Sequence, residues 1–351
     1  MSQPPIRGRG ASTNPANRFI PLYRESVDGW TDPDDPAPRT RFFRDDPKTV
    51  ITTNDSPDVG FTFSVNPYRG CEHGCVYCYA RPTHEYLELS AGTDFETKIF
   101  VKENAPELLR QELASPKWVP HSVSVSGVTD PYQPVERRLE LTRRCLQVFA
   151  EFRNPVGIVT KNALVTRDRD VLGELAKYDA AVVFLSITTL DPELARVMEP
   201  RASAPAARLR AVRELTDAGI PVGVLVAPVI PGLNDHEAPA ILDAAAGAGA
   251  KFAGYVTLRL PFAVKDLFAT WLDQHFPNKK ERVLGRLKGA RGGKLNDSRF
   301  RTRMRGEGEW ADLFSTMFKL HRARAGLAGH GPELSAAHFT DGRPKQGTLF
   351  E

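Results

Sequence analysis

Between residues 61 and 276, short apolar runs rich in β-branched residues alternate with stretches whose apolar positions recur at helical spacing. This is the pattern of parallel strands joined by crossover helices. Six such units are predicted, with strands at 61–66, 122–126, 156–160, 181–187, 222–228 and 252–258. Runs such as AAVVFLSI and VGVLVAPV are apolar at nearly every position, as required of strands covered on both faces and not of a half-exposed antiparallel sheet. Asp191 and Pro192 can cap and open one helix, while Gly219 can end another in a left-handed residue with Pro221 blocking continuation. Six βα units with right-handed crossovers give either an incomplete (β/α) barrel or an open doubly wound sheet, and both bind ligands at the carboxyl ends of the strands.

The flanks differ from this core. Residues 1–50 are rich in Pro, Asp, Arg and Gly and show no apolar periodicity, so an extended or disordered arm is expected. The predicted core domain covers 51–278, followed by a basic helical extension over 279–330 and a flexible tail over 331–351. The start, MSQPPIRGRG, lacks the apolar centre of a secretion signal, and no apolar run is long enough to cross a bilayer. A cytoplasmic protein without membrane association is therefore expected. Net charge is +4 over 351 residues, too little to imply a polyanionic partner. Its distribution is uneven, because residues 279–305 hold eleven Lys or Arg against Glu281 and Asp297, a local balance of +9. That segment reads either as a solvated helical face or as a nucleic-acid contact. No GxGxxG follows a strand and no GxxxxGK[ST] occurs, which removes the usual glycine-loop routes to dinucleotides and triphosphates.

Three of the four cysteines, Cys71, Cys75 and Cys78, crowd into eight residues directly after the first predicted strand. The crowding favours ligation of iron or zinc over disulfides. A short loop loosened by Gly70 and Gly74 can wrap three thiolates around one face of an iron-sulfur cube, leaving one iron open to a chelating molecule such as the methionine part of S-adenosylmethionine. A zinc site completed by His73 or His84 is the other reading. Cys145 lies in the amphipathic stretch LTRRCLQVF, where helix packing is its expected role.

Cys-x3-Cys-x2-Cys with Tyr77 just before the last cysteine resembles the signature of the radical S-adenosylmethionine superfamily. Over residues 61–276 the chain is similar to the branch of spore photoproduct lyase and its bacterial relatives, and the later stretch RGGKLNDSRFRTRMRGEG is similar to those relatives too. The resemblance implies a partial (β/α)6 barrel, a [4Fe-4S] cluster on Cys71, Cys75 and Cys78, and reductive cleavage of S-adenosylmethionine to a 5′-deoxyadenosyl radical that abstracts hydrogen from a substrate. An electron donor of flavodoxin or ferredoxin type is implied as well. By the same resemblance Tyr77 packs beside the adenine and Lys161, ending the third strand, contacts the cofactor's carboxylate. Ser186 faces its ribose or amino group, and Glu199 and Arg201 hold its opposite side. Ser126, Gly127 and Asp130 form the turn that binds its amino group, and residues 227–232 supply the apolar edge facing the adenine. The chain departs from spore photoproduct lyase at Gly127, Val128 and Thr129, where that enzyme carries its hydrogen-donor cysteine, so that enzyme's reaction is not implied.

The competing reading is a non-catalytic, metal-stabilised nucleic-acid-binding module. Such a module needs no polar groups at strand ends, and Lys161 and Ser186 there favour the enzyme. Finally, Gln346, Leu349 and Phe350 resemble the Gln-x-x-Leu-Phe peptide that docks on the bacterial sliding clamp, which implies that partner and a DNA repair setting.

Overall fold

A computed structural model describes residues 4–20 and 39–341. Its strands are β1 (Arg41–Arg44), β2 (Ile51–Thr53), β3 (Phe63–Val65), β4 (Tyr68–Arg69), β5 (Lys98–Val101), β6 (Val123–Val125), β7 (Val156–Thr160), β8 (Ala181–Ser186), β9 (Val222–Val229) and β10 (Phe252–Thr257). The larger sheet runs β10-β9-β8-β7-β6-β3-β2. Its six strands from β3 to β10 pair in parallel, and β2 joins the far edge antiparallel to β3. Their spatial order repeats their chain order without reversal. A doubly wound sheet would reverse at a switch point, so this is one singly wound arc, a partial (β/α)6 barrel. A second sheet, β1-β5-β4, lies outside the predicted units.

Local chemistry sets the boundaries of the crossover helices. Asp191 accepts from the N–H groups of Glu193 and Leu194 at 2.8 and 3.3 Å, opening the helix Pro192–Met198. The helix Pro205–Asp217 ends at Gly219 with φ +77°.

The main core is built from the sheet and its helices, with Val183, Leu185, Val222 and Val224 fully buried. A second apolar cluster contains Val76, Tyr77, Met198, Ile230, Leu258, Phe268 and Trp271. Val283 and Leu287, from the helix Lys280–Gly289, pack into this same cluster, so part of the basic segment shares a core with the cysteine loop.

Residues 4–20 lie on the barrel although they carry no apolar periodicity, because polar bonds hold them. Gly10 and Ala11 donate their N–H groups to the Glu96 carboxylate at 3.1 and 2.9 Å. Asn17 donates to the carbonyls of Glu85 and Leu89, both at 2.9 Å, and Arg18 pairs with Glu85. At the opposite end, residue 328 lies against the free edge of β10. Ala253 N–H donates to the Ala328 carbonyl at 3.0 Å and Ala328 N–H to the Lys251 carbonyl at 2.9 Å. Among the described residues no helix is long and apolar enough to cross a membrane.

Candidate functional site

The cysteine loop begins right after β4, where Cys71 N–H donates to the Phe95 carbonyl at 2.9 Å. Gly70 and Gly74 have φ of +79° and +67°, the left-handed geometry that lets so short a segment turn back on itself. Arg81, fully buried, clasps the loop from within. Its Nε donates to the Cys75 carbonyl at 2.9 Å and its Nη1 to the carbonyls of Ala91 and Gly92 at 3.2 and 2.9 Å. Its Nη2 meets the Glu96 carboxylate at 2.5 Å. The arm adds a second layer: a Cβ on Gly10 would fall 1.8 Å from the Gly74 carbonyl oxygen, so only glycine fits there.

All three loop cysteines are free; Cys71 and Cys75 are buried and Cys78 is partly so. Burial pushes the Cys71 thiol well above its ordinary range, with Asp130 and the other two sulfurs adding to the shift. Cys75 is pushed up to about 12, by burial first and then by Glu199, while Lys161 works in the opposite direction. Such thiols stay protonated at neutral pH unless a cation compensates the thiolates, and binding iron would release those protons. The donor set fits a [4Fe-4S] cluster: three free sulfurs from one loop, two of them buried and the third partly so, each able to take a different iron.

The zinc alternative finds less support. His73 spends both ring nitrogens, Nδ1 on Asp130 at 3.3 Å and Nε2 on Asn162 at 3.1 Å. His84 is buried between Phe95 and Phe100, with Nε2 donating to the Lys98 carbonyl at 2.9 Å and Nδ1 without a partner. Burial lowers its pKa to about 4, so it is neutral. Among the described residues, no three His, Cys, Asp or Glu side chains gather where a single metal ion would sit.

The strand ends beside the loop carry the other candidates. Lys161 follows β7 with its Nζ 5.8 Å from the centroid of the Tyr77 ring. Asp130 accepts from Thr160 Oγ1 at 2.7 Å, Lys161 N–H at 2.8 Å and Tyr132 N–H at 2.9 Å. Burial alone would raise its pKa, but His73 and these donors hold it down to about 2. Asp130 is thus an ionised strut joining the second-strand turn, the third strand and the cysteine loop. Gly127 has φ +109°, and its carbonyl accepts from the exposed Tyr79 hydroxyl at 2.5 Å; Ser126 beside it is partly buried. Ser186 is buried at the end of β8.

Glu199 and Arg201 are both engaged by groups of the protein. One Glu199 oxygen accepts from Thr188 Oγ1 at 2.6 Å and from the Tyr77 hydroxyl, and the other pairs with the buried Arg208. Arg208 also donates to the Ser186 carbonyl at 2.9 Å. Glu199 is thereby the group that fixes the Tyr77 ring. Arg201 pairs with Glu72 at 3.1 Å and donates to Thr40 Oγ1 at 3.1 Å. Sequence reasoning overlooked Arg81, Glu96 and Arg208. Arg208 had a signal, an arginine on the same helical face as the buried Ala211, Val212 and Leu215; Arg81 and Glu96 had none.

Much of the basic charge over 279–305 is used inside the fold. Arg291 is buried and donates to the Thr257 and Leu258 carbonyls at 3.1 and 2.6 Å. Arg305 donates to the Tyr255 carbonyl at 2.9 Å and Arg303 pairs with Asp58 at 2.5 Å. Arg299 pairs with Asp297 and Glu307, both at 2.9 Å. The clamp-like peptide at 346–350 lies outside the described residues.

With this geometry in hand, the chain is assigned to a class: it belongs to the Radical SAM superfamily, whose family profile matches residues 65–245. An uncharacterized protein of Mycobacterium tuberculosis (strain H37Rv) is 39% identical over 219 residues, 62% of this chain and 64% of that one. An uncharacterized protein of Methanocaldococcus jannaschii is 31% identical over 178 residues, 51% of this chain and 64% of the relative. The match thus spans less than two thirds of the length of these curated relatives. Spore photoproduct lyase complexed with dinucleoside spore photoproduct superposes with a TM-score of 0.58 at 15% identity, covering 82% of this chain and 81% of that one. A point variant of the same lyase gives 0.60 at 14% identity with the same coverage. Similarity at that identity shows the fold. Superfamily membership implies S-adenosylmethionine and a [4Fe-4S] cluster as cofactors.

Proposed function

We propose that this chain is an enzyme that reductively cleaves S-adenosylmethionine and uses the resulting radical to abstract hydrogen from a substrate. Cys71, Cys75 and Cys78 would hold the [4Fe-4S] cluster, which when bound supplies the electron that breaks the sulfonium C–S bond, giving methionine and a 5′-deoxyadenosyl radical. The protein's part is positioning. The loop, clasped by Arg81 and covered by the arm, keeps water from the thiolates. Tyr77, fixed by Glu199, offers a flat apolar face for the adenine, and Lys161 next to it supplies the cation for the cofactor's carboxylate. Asp130 holds the Gly127 turn against the end of β7, and Ser186 stands on the neighbouring strand.

The observation that carries this reading is three free thiols in one loop, two of them buried and the third partly so, set among polar strand-end groups. A purely structural metal module needs no cation such as Lys161 on the open side of its thiols. Two partner proposals accompany it, nucleic acid through residues 279–305 and the sliding clamp through Gln346, Leu349 and Phe350. They rest on charge and on a short peptide match. The deciding experiment is anaerobic reconstitution with iron and sulfide, reduction with dithionite, and measurement of 5′-deoxyadenosine after adding S-adenosylmethionine. A fully loaded protein that forms none is the non-catalytic module instead.

A further inference from the structure

Outside the strand ends, the chain builds a second charged feature that the cofactor reading does not use. Arg7, Gly8, Arg9, Arg39, Thr40, Phe42, Glu72 and Arg201 line a cleft of about 510 Å³. Four guanidinium groups face one carboxylate there. Arg7 and Arg39 are exposed and have no ion-pair partner among the described residues. At its base Arg201 pairs with Glu72 at 3.1 Å, and Arg9 donates to Thr40 Oγ1 at 3.3 Å.

The floor of the cleft is the cysteine loop itself. Glu72 lies between Cys71 and Cys75, and the Arg201 N–H donates to the His73 carbonyl at 3.2 Å. The loop presents two sides: the His73 ring turns to Asp130 and Asn162 at the strand ends, whereas the neighbouring Glu72 turns to the cleft. The strand-end side is where cofactor and substrate would bind. The cleft therefore meets the metal-binding loop at Glu72 and Arg201, apart from the side that His73 turns to Asp130 and Asn162.

We propose that this cleft is the docking site for an acidic, one-electron-carrying protein of the flavodoxin class. The proposal rests on the enzymatic reading, since that chemistry consumes an electron that must come from outside the chain. One electron leaves the donor's reduced flavin and one enters the cluster held by the loop; no bond forms or breaks. Arg7 and Arg39 on the rim would steer an acidic surface into the cleft, and the attraction would weaken as salt is raised. A phosphate backbone satisfies the same charges, but bound here it would face away from the strand ends where hydrogen is abstracted, so nucleic acid is the alternative the test must exclude.

The experiment compares the wild-type chain with the double variant Arg7→Glu, Arg39→Glu. Neither residue touches the loop cysteines or the strand-end groups. Direct binding of a labelled, purified flavodoxin is measured at low and high salt, and 5′-deoxyadenosine formation is measured with reduced flavodoxin and, separately, with dithionite. The variant is expected to bind flavodoxin about tenfold or more weakly, to lose most of the salt dependence, and to slow only in the flavodoxin-driven assay. Equal flavodoxin affinity for variant and wild type overturns the docking site. So does a short single-stranded oligonucleotide whose binding is lost in the variant while flavodoxin binding is kept. Failure of the wild type with dithionite overturns the enzymatic reading instead, and the binding measurement then decides the cleft alone.

Discussion

The cysteine loop and the basic segment are both dense in functional-looking residues, but the arginine that clasps the loop finds its partners nearby along the chain, whereas two arginines of the basic segment reach far across it. Arg81 binds the Cys75 carbonyl six residues back and the Glu96 carboxylate fifteen residues ahead. In the basic segment Arg303 reaches Asp58 across 245 residues, and Arg305 reaches the Tyr255 carbonyl across 50. A ligand set carried by one loop, such as the three cysteines, can be read from spacing, although the buried pair of Arg81 and Glu96 that braces it cannot. A run of like charges cannot, because some of the groups that engage it, such as Asp58 and the Tyr255 carbonyl, come from elsewhere in the fold.

The largest effect is expected from removing a thiolate. Cys71→Ala, Cys75→Ala and Cys78→Ala should each abolish the brown iron-sulfur absorbance and all 5′-deoxyadenosine formation. Cys145→Ala, in the main core, should keep both and cost about 1 kcal/mol of stability. Iron lost from the Cys145 variant alone would mean that the ligands are misassigned.

Arg81→Ala comes next, since it strands a fully buried Glu96 carboxylate. Breaking such a pair from one side costs roughly 3–5 kcal/mol. Denaturant unfolding of the apo-protein reads it, and Arg299→Ala, which removes two pairs made by an exposed side chain, should show a far smaller change. If the two variants unfold alike, the contrast between the regions disappears.

A smaller effect is expected for Lys161→Ala: iron content unchanged, but S-adenosylmethionine affinity lower by about tenfold or more, as for losing a charged hydrogen bond. The paramagnetic spectrum of the reduced cluster, titrated with the cofactor, should shift at higher concentrations than in wild type; superposable titrations would remove the lysine from the cofactor site.

In the basic segment, Arg299→Ala with Arg301→Ala should weaken salt-sensitive oligonucleotide binding modestly, with the salt slope falling by about one for each phosphate-neutralising cation removed. Binding absent at low salt makes the segment a structural brace. The smallest effect concerns the carboxyl terminus. A labelled peptide covering residues 340–351 should bind purified sliding clamp weakly and saturably, and replacing Leu349 and Phe350 with alanine should abolish it; binding indifferent to those two residues ends the idea.

Much of the barrel was legible because apolar runs flanked by turn residues leave one interpretation. The strand predicted at 156–160 is β7 to the residue, and β8 stops one residue short of its predicted end. The prediction at 61–66 overshot, since pairing is confined to Phe63–Val65. The small sheet was not foreseen: Tyr68–Arg69 has two residues and is wedged between Pro67 and Gly70, too short for any period to show. The contacts of the arm were not legible, because composition reports apolar burial and not a carboxylate waiting for two backbone N–H groups. In the site, the three cysteines stood out by crowding. The role of Glu199 did not, because it depends on Arg208 arriving from the next helix and on the Tyr77 hydroxyl.

The backbone bonds between β10 and Ala328 have a consequence for solubility. A half-open barrel has two rims, and each is a row of unpaired amides able to recruit a second chain. At one rim β2 is only three residues long, which leaves little to template on. At the other, the chain returning from the helix Glu309–Arg324 pairs beside Phe252 and Ala253. Stopping the chain after Arg324 would leave the cysteine loop and strand ends untouched while uncovering that rim, and the shortened protein should self-associate as concentration rises.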